Sequence, residues 1–378
     1  MSDKVTTTDS TLREDFKKIL IIRMSSLGDV LFALPSLEAL RASYPNAHIA
    51  WVVEDRCANV LEGHPHIDEL IIMPRRKWRA MRKEGQGSLL ESWRFFRELG
   101  RRNFDLTIDF QANLKSGMAS LFARAPVRLG FSKSECREPN WLFTNRRHDL
   151  GGEVMHRIDR DLSLLSLIGV PTDHKQPTLP IPAQDRQLAR EFLDTLNSQG
   201  PVVILQPGTS DWGRNKRWSP ESFAELGDAI HEKHNARVII NWGSEAERER
   251  AEQLVDIMTA DASIALPTAN LLALGGLMQQ ADLVVGCDSG PTHLAELLGI
   301  NVVTLFGPSD PRFYYPYGHP DRAIYAALPC SPCRYRECVG RACMTHIEVS
   351  DVFLTCDAIL SGRPPVSRSI EPNKTIDL

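Results

Sequence analysis

Residues 282–299, DLVVGCDSGPTHLAELLG, change character three times in a short span. Leu283-Val284-Val285 is an apolar run of the kind that forms a buried strand. Asp288-Ser289-Gly290 turns the chain, Pro291 falls early in a helical first turn, and Gly299 stands where that helix would end. Ser and Asp suit an N-cap, Pro the first turn, and Gly the far end. A strand that feeds a helix N-terminus through a tight polar loop makes an anion site, because unpaired N–H groups and the positive end of the dipole converge there. His293, in the same first turn, is placed to reach that anion. The stretch therefore predicts a site for a nucleotide diphosphate, at the carboxyl end of a strand where ligands collect in open α/β sheets. The bland alternative is a plain βα turn in which Asp288 and Ser289 only cap.

The strand-loop-helix pattern recurs outward from this point. Val202-Val203-Ile204-Leu205 leads into Gln206-Pro207-Gly208-Thr209-Ser210, then Lys216-Arg217-Trp218 and a helix capped near Ser219. Val238-Ile239-Ile240 precedes Trp242-Gly243-Ser244 and a charged helix from Glu245 to Met258. Ile264-Ala265-Leu266 and Val302–Phe306 complete a parallel set. In the first half, Ile19–Ile22 reads as a strand buried on both faces. The loop RMSSLGD (23–29) follows, then one helix with Val30, Leu31, Leu34, Leu37 and Leu40 on its apolar face. This loop is neither G-x-G-x-x-G nor G-x-x-x-x-G-K-[ST], which weighs against dehydrogenase and kinase readings. Asp29 stands at the helix start, where a carboxylate is favoured and capping is the simple role. Further strands are expected at 48–53, 69–73, 105–110 and 128–131, and a helix over 155–168. Pro171, Pro177, Pro180 and Pro182 mark residues 169–185 as a linker. Alternating strands and helices on both sides of it predict two doubly wound domains facing across a cleft.

The 378 residues are 42% hydrophobic and 24% charged, a soluble globular composition with room for two domains. No apolar run approaches the roughly 20 residues of a membrane span, and residues 1–15 lack the apolar core of a signal peptide. A cytoplasmic location is expected. The net charge of −4 conceals a segregation: residues 1–183 hold 27 Lys/Arg and 23 Asp/Glu, residues 184–378 hold 17 and 25. Between Arg75 and Arg102 lie ten Lys/Arg against three Asp/Glu, interleaved with Trp78, Trp93, Phe95 and Phe96. A solvated helical face is the ordinary reading of such a run. A phosphate-binding or membrane-surface patch is the alternative. The overall charge is negative and no recognition motif appears, so nucleic acid is not an expected partner.

Five segments in order resemble glycosyltransferase family 9, the ADP-heptose:lipopolysaccharide heptosyltransferases: RMSSLGDVLFALPSLEAL, DFQANLKSG, LQPGTSDWGRNKRWSPESF, NWGSEAERERAEQL and VVGCDSGPTHLAELLGINVVTLFGPSDP. Each is weak alone; the ordered set spans roughly residues 17 to 313. The resemblance implies a GT-B fold of two Rossmann-like domains. The division expected is a disordered tail (1–15), an acceptor domain (16–183), a nucleotide-sugar domain (184–345), and a C-terminal helix and disordered tail (346–378). It implies inverting transfer of L-glycero-D-manno-heptose from ADP-heptose to the lipid A–inner core of lipopolysaccharide, without a required metal or other cofactor. The enzyme would work peripherally at the cytoplasmic face of the inner membrane.

The same resemblance makes Asp29 the general base, with Ser25, Ser26 and Gly28 on the acceptor side of its loop. Lys216 would contact the donor phosphates and take part in catalysis. Thr209, Ser210, Asp288, Ser289, Gly290 and His293 would hold ADP, with Glu247 (or Glu245 or Glu249) at the ribose. Arg75, Arg76, Lys77, Arg79 and Lys115 resemble cations lining the acceptor side. The chemistry suits these residue types: one carboxylate can take the proton from an attacking hydroxyl, and a lysine with a helix N-terminus can stabilise departing ADP. Rival readings are a GT-B transferase using another nucleotide sugar for a different envelope glycolipid, and a nucleotide-binding protein without catalysis. Cys330, Cys333, Cys338 and Cys343, spaced C-x-x-C-x4-C-x4-C, either close a tetrahedral zinc site, remote from the chemistry, or are thiols of a compact loop.

Overall fold

The computed structural model describes residues 14–365 except 86, 88, 174, 175, 197, 198, 269, 334, 336 and 337, and leaves out the side chains of 211 and 212. The expected disordered tails, residues 1–15 and the chain beyond Gly362, lie almost wholly outside the described residues. Two parallel six-stranded sheets organise the rest. The first contains β1 (Lys18–Ile22), β2 (His48–Glu54), β3 (Glu69–Met73), β4 (Leu106–Asp109), β5 (Val127–Phe131) and β6 (Arg146–His148), in the order β3-β2-β1-β4-β5-β6. The second contains β7 (Val202–Gln206), β8 (Arg237–Ile240), β9 (Ala262–Ile264), β10 (Leu283–Cys287), β11 (Val302–Phe306) and β12 (Ala323–Tyr325), in the order β12-β11-β10-β7-β8-β9. Counted from its own first strand, each sheet has the order 3-2-1-4-5-6 of a Rossmann fold. The chain thus forms the two facing doubly wound units of a GT-B architecture.

This order has a chemical consequence. Strand order reverses between β1 and β4 in one sheet and between β7 and β10 in the other, and loops leaving the two central strands diverge to open a crevice. The segments RMSSLGD, DFQANLKSG, LQPGTS and CDSGPTH all occupy those four strand ends. Burial drives the assembly: Ile19–Ile22, Val203–Leu205 and Leu283–Val285 have no exposed surface, as strands covered by helices on both faces require.

The two units meet through the helices that follow their switch points. Helix Leu27–Phe32 packs on helix Gly290–Leu297 so closely that a Cβ on Gly28 would stand 3.0 Å from His293 Cδ2, and one on Gly290 would stand 2.8 Å from Leu27 Cδ2. The Phe32 and His293 ring centroids are 4.5 Å apart. At the linker, helix Ala183–Asp194 lies on helix Leu271–Met278, with Gly276 against the Asp185 backbone. The C-terminal helix Val349–Leu360 packs on helix Pro220–His234, burying Val352 and Cys356.

Several expectations needed correction. The single helix over 30–40 is two helices, Leu27–Phe32 and Leu34–Ser43, broken at Ala33. Pro35 has no N–H to continue the first helix, and its ring excludes the carbonyl four residues back. The expected strand 264–266 is β9, two residues earlier. β6 and β12 were not foreseen, because each is three residues long and β6, Arg146-Arg147-His148, has no apolar residue.

Candidate active site

Both switch points open into one cavity of about 1610 Å³, large enough for two ligands at once. On the first sheet's side, Ser26, Gly28 and Asp29 line it. On the second sheet's side it is lined by Gly208, Thr209, Ser210, Lys216 and Glu247, and by Asp288, Ser289, Gly290 and His293.

Asp29 is held from three directions. Its Oδ2 accepts from the Ser26 amide (3.0 Å) and hydroxyl (2.8 Å), and its Oδ1 pairs with Arg23 Nη2 at 2.8 Å. The helix-capping role is therefore real, and it coexists with a side chain still 23% exposed to the cavity. Burial by itself raises the carboxyl pKa, but Arg23, Arg157 and the Ser26 bonds outweigh it and hold it below the ordinary 3.8. Asp29 is ionised at neutral pH.

Its loop is fastened from β4. Gln111 Oε1 accepts from the amides of Met24 (2.9 Å) and Ser25 (3.0 Å). Buried Asp109 holds Gln111 in turn, accepting from the amides of Gln111 (2.9 Å) and Ala112 (3.1 Å) and from Asn140 Nδ2 (2.8 Å). The segment DFQANLKSG thus serves as the clamp that sets the RMSSLGD loop.

On the donor side, Lys216 Nζ lies 2.6 Å from Asp288 Oδ2, and His293 Nε2 lies 2.9 Å from Asp288 Oδ1. His293 Nδ1 is 3.6 Å from Glu296 Oε2. Burial lowers the His293 pKa, but the hydrogen bond to Asp288 and the nearby Glu296 carboxylate raise it further, to about 9, so the ring is cationic at neutral pH. The Asp288 carboxylate is pushed well below its usual range despite burial, first by Lys216 and then by His293. This geometry gives two of the expected ADP-holding residues partners within the protein. His293 is 3% exposed and commits Nε2 to Asp288, and Asp288 sits between two cations. Both line the cavity beside Lys216, and Glu296 stands as a second carboxylate on the far side of the His293 ring.

Beside them, helix Gly290–Leu297 begins at Ser289, whose side chain makes no capping bond to the first-turn amides. Pro291 has no N–H and the His293 amide donates to the Ser289 carbonyl at 3.1 Å, so this turn offers the cavity at most the amides of Gly290 and Thr292. Thr209 is occupied within its own loop: Oγ1 donates to the Gly213 carbonyl (2.8 Å) and accepts from Arg217 Nε (3.0 Å). Ser210 is exposed at the loop's edge. Of the three candidate glutamates, Glu247 lines the cavity, while Glu245 is exposed and pairs with Arg248. Glu247 Oε2 accepts from the Gly243 amide (2.9 Å), and Oε1 would lie 2.9 Å from any Cβ at Gly208. Only glycine permits that approach at 208.

The expected acceptor cations divide. Arg75 (3.5 Å) and Lys115 converge on the buried Glu54 carboxylate together with Arg56, whose Nε is 3.0 Å from it. Glu54 N donates to Met24 O at 3.0 Å, so this cluster adjoins Ser25. Arg76, Lys77 and Arg79 are exposed on helix Arg75–Lys83 and do not line the cavity. The cavity wall holds cations that the sequence reading passed over: Arg56, Arg137 and Arg157. Arg157 Nε donates to Tyr314 Oη (3.3 Å), and its guanidinium lies 4.9 Å from the Phe313 ring centroid. Nothing in an isolated helical pattern marks Arg157. Arg23, at the carboxyl end of β1, does occupy a position that the switch-point rule singles out.

The cysteine loop is not remote. Cys333 lines the cavity, its amide donates to the Pro308 carbonyl (2.9 Å), and Asn215 Nδ2 donates to the Tyr335 carbonyl (3.1 Å). Among the described residues, no group of three or more His, Cys, Asp or Glu is arranged to hold a metal ion.

Residues 92–343 match the profile of "Glycosyltransferase family 9 (heptosyltransferase)". The chain is 30% identical to lipopolysaccharide heptosyltransferase 1 of Pseudomonas aeruginosa, across 85% of this chain and 87% of the relative. It is also 30% identical to the lipopolysaccharide core heptosyltransferase OpsX of Haemophilus influenzae, across 82% and 84%. Among solved structures it resembles the Escherichia coli heptosyltransferase WaaC with ADP-2-deoxy-2-fluoro heptose, with a TM-score of 0.63 and 27% identity over 78% of this chain and 90% of that one. With the profile covering most of its length and both switch points built as described, this chain belongs to glycosyltransferase family 9.

Proposed function

We propose that the protein is an inverting heptosyltransferase of lipopolysaccharide core assembly, moving L-glycero-D-manno-heptose from ADP-heptose to the lipid A–inner core acceptor. The observation that carries this reading is the shared cavity. An ionised carboxylate from one Rossmann unit shares the cavity with Lys216 and a helix N-terminus from the other, a pairing suited to a diphosphate. The relatives' names supply the sugar and the acceptor. The donor belongs to the second unit, residues 184–345, and the acceptor to the first, residues 16–183.

In the reaction, an acceptor hydroxyl attacks the anomeric carbon of heptose as the bond to the β-phosphate oxygen breaks. The hydroxyl proton passes to an Asp29 carboxylate oxygen, and ADP departs with the bonding electron pair. Asp29 is a weak base by its depressed pKa, but an alcohol becomes acidic as its oxygen bonds carbon, so late proton transfer suits it. Lys216, backed by Asp288 and His293, and the amides of helix Gly290–Leu297 take up the charge gathering on ADP. Glu247 is placed for the ribose hydroxyls. Arg56, Arg75 and Lys115, held on Glu54 beside Ser25, are placed for anionic groups of the acceptor. No described helix is long and apolar enough to cross a membrane. A lipid-linked acceptor then brings the enzyme to the cytoplasmic face of the inner membrane as a peripheral protein.

A donor panel tests this. ADP-, UDP- and GDP-sugars are offered with a core lipid acceptor, and ADP-heptose is expected to be consumed with heptose on the acceptor. Turnover with another donor and none with ADP-heptose would overturn the assignment.

A further inference from the structure

The segment with ten cations folds as two exposed helices, Arg75–Lys83 and Leu89–Gly100. Their inner faces are already satisfied. Trp78, Phe96 and Leu99 are buried, and Trp78, Phe95, Phe96 and Phe122 form a chain of ring contacts at 5.5–5.7 Å that ties both helices to helix Leu114–Phe122. The Lys77–Glu91 pair at 3.0 Å joins one helix to the other. What remains is the outer face of Leu89–Gly100. Leu89 is 84% exposed, Leu90 56% and Trp93 47%. Positions 89, 93 and 97 repeat every four residues and so share one stripe, which runs from leucine to tryptophan to arginine. The Arg97 guanidinium stacks 4.6 Å from the Trp93 ring centroid, and Arg94 and Arg101 extend the basic end.

Core packing does not call for large apolar side chains at these three places. Exposed leucine and tryptophan ringed by arginine match the interface of a bilayer, where Trp sits at the headgroup level and cations meet anionic lipid. Leucine offers nothing to a nucleic-acid backbone, which weighs against RNA. The patch also stands at the correct end of the fold. Helix Arg75–Lys83 follows β3 directly, and the neighbouring end of β2 carries Glu54, which is bonded to the Ser25 loop.

We infer that helices Arg75–Lys83 and Leu89–Gly100 are a membrane-docking surface, inserting Leu89, Leu90 and Trp93 among the headgroups of an anionic bilayer. This deepens, and rests on, the reading of a lipid-linked acceptor. It explains how an enzyme with no spanning helix among its described residues meets its acceptor: the same surface that grips the lipid presents the acceptor's sugar head to the cleft.

The experiment is co-sedimentation of the full chain with phosphatidylcholine vesicles, with and without phosphatidylglycerol. The variants are Leu89→Ser/Trp93→Ser and Arg94→Gln/Arg97→Gln. Wild type is expected to sediment with the anionic vesicles only, and less at high salt. The arginine variant should bind about fivefold more weakly per cation removed, and the apolar variant should lose binding while keeping its far-UV circular dichroism. Both variants should keep wild-type turnover on a delipidated, soluble acceptor. Equal sedimentation of wild type and both variants, equal binding to neutral vesicles, or no binding by wild type would overturn the inference. If the transferase reading itself fails, wild type turns over no acceptor although vesicle binding persists, so the two failures are distinct.

Discussion

Lys216 Nζ lies 2.6 Å from the buried Asp288 carboxylate, and that pairing sets its sensitivity to mutation. Lys216→Ala removes the cation proposed to meet the departing diphosphate and leaves Asp288 with His293. Turnover should fall about 100- to 1000-fold, with ADP affinity reduced as well, measured by steady-state kinetics and calorimetry. His293 makes a second prediction. Its folded pKa of about 9 lies above its ordinary 6.5, so its contribution to stability is complete below about 6.5 and is lost as pH rises through 9. Wild type should lose urea resistance over that window more steeply than His293→Gln, which carries no such proton; parallel curves would contradict the cationic assignment. At this scale the strand-loop-helix pattern pointed to Asp288, while Asp29 as base and Lys216, ten residues beyond the end of β7, entered through the family resemblance. Neither revealed Arg157, whose importance arises from Tyr314 and Phe313, far along the chain.

At the scale of elements, legibility followed apolar length. Strands of four or more buried residues could be read directly. β6 could not, because an edge strand with only one neighbour has little need of apolar side chains, and Arg146-Arg147-His148 forms it by pairing with Leu129–Phe131. The break at Ala33 was concealed because the leucine spacing runs on through Pro35. Close helix contacts were equally invisible. Gly276 packs where a Cβ would meet the Asp185 carbonyl carbon at 2.7 Å and oxygen at 2.8 Å, and backbone atoms cannot rotate away. Gly276→Ala should therefore destabilise the fold by about 1–3 kcal/mol, read from the urea midpoint, with ADP affinity at permissive urea unchanged. An unchanged midpoint would show that the two helices do not set each other's position.

Across the whole molecule, the same strand order occurs twice, and the two crevices it creates are apposed through Gly28 and His293. Periodicity announced two α/β units; it could not announce their strand order, which depends on crossovers between distant segments, nor that their switch-point loops would touch. In the proposed reaction that contact divides the work: one unit would supply the base and the other would retain the nucleotide. Asp29→Asn tests the division most directly, with ADP affinity by calorimetry and heptose transfer by product formation measured on the same preparation. Transfer should fall about 100- to 10,000-fold, as expected for loss of a general base, while ADP binds as in wild type. Retained transfer, or loss of ADP binding together with transfer, would contradict a base contributed from across the cleft.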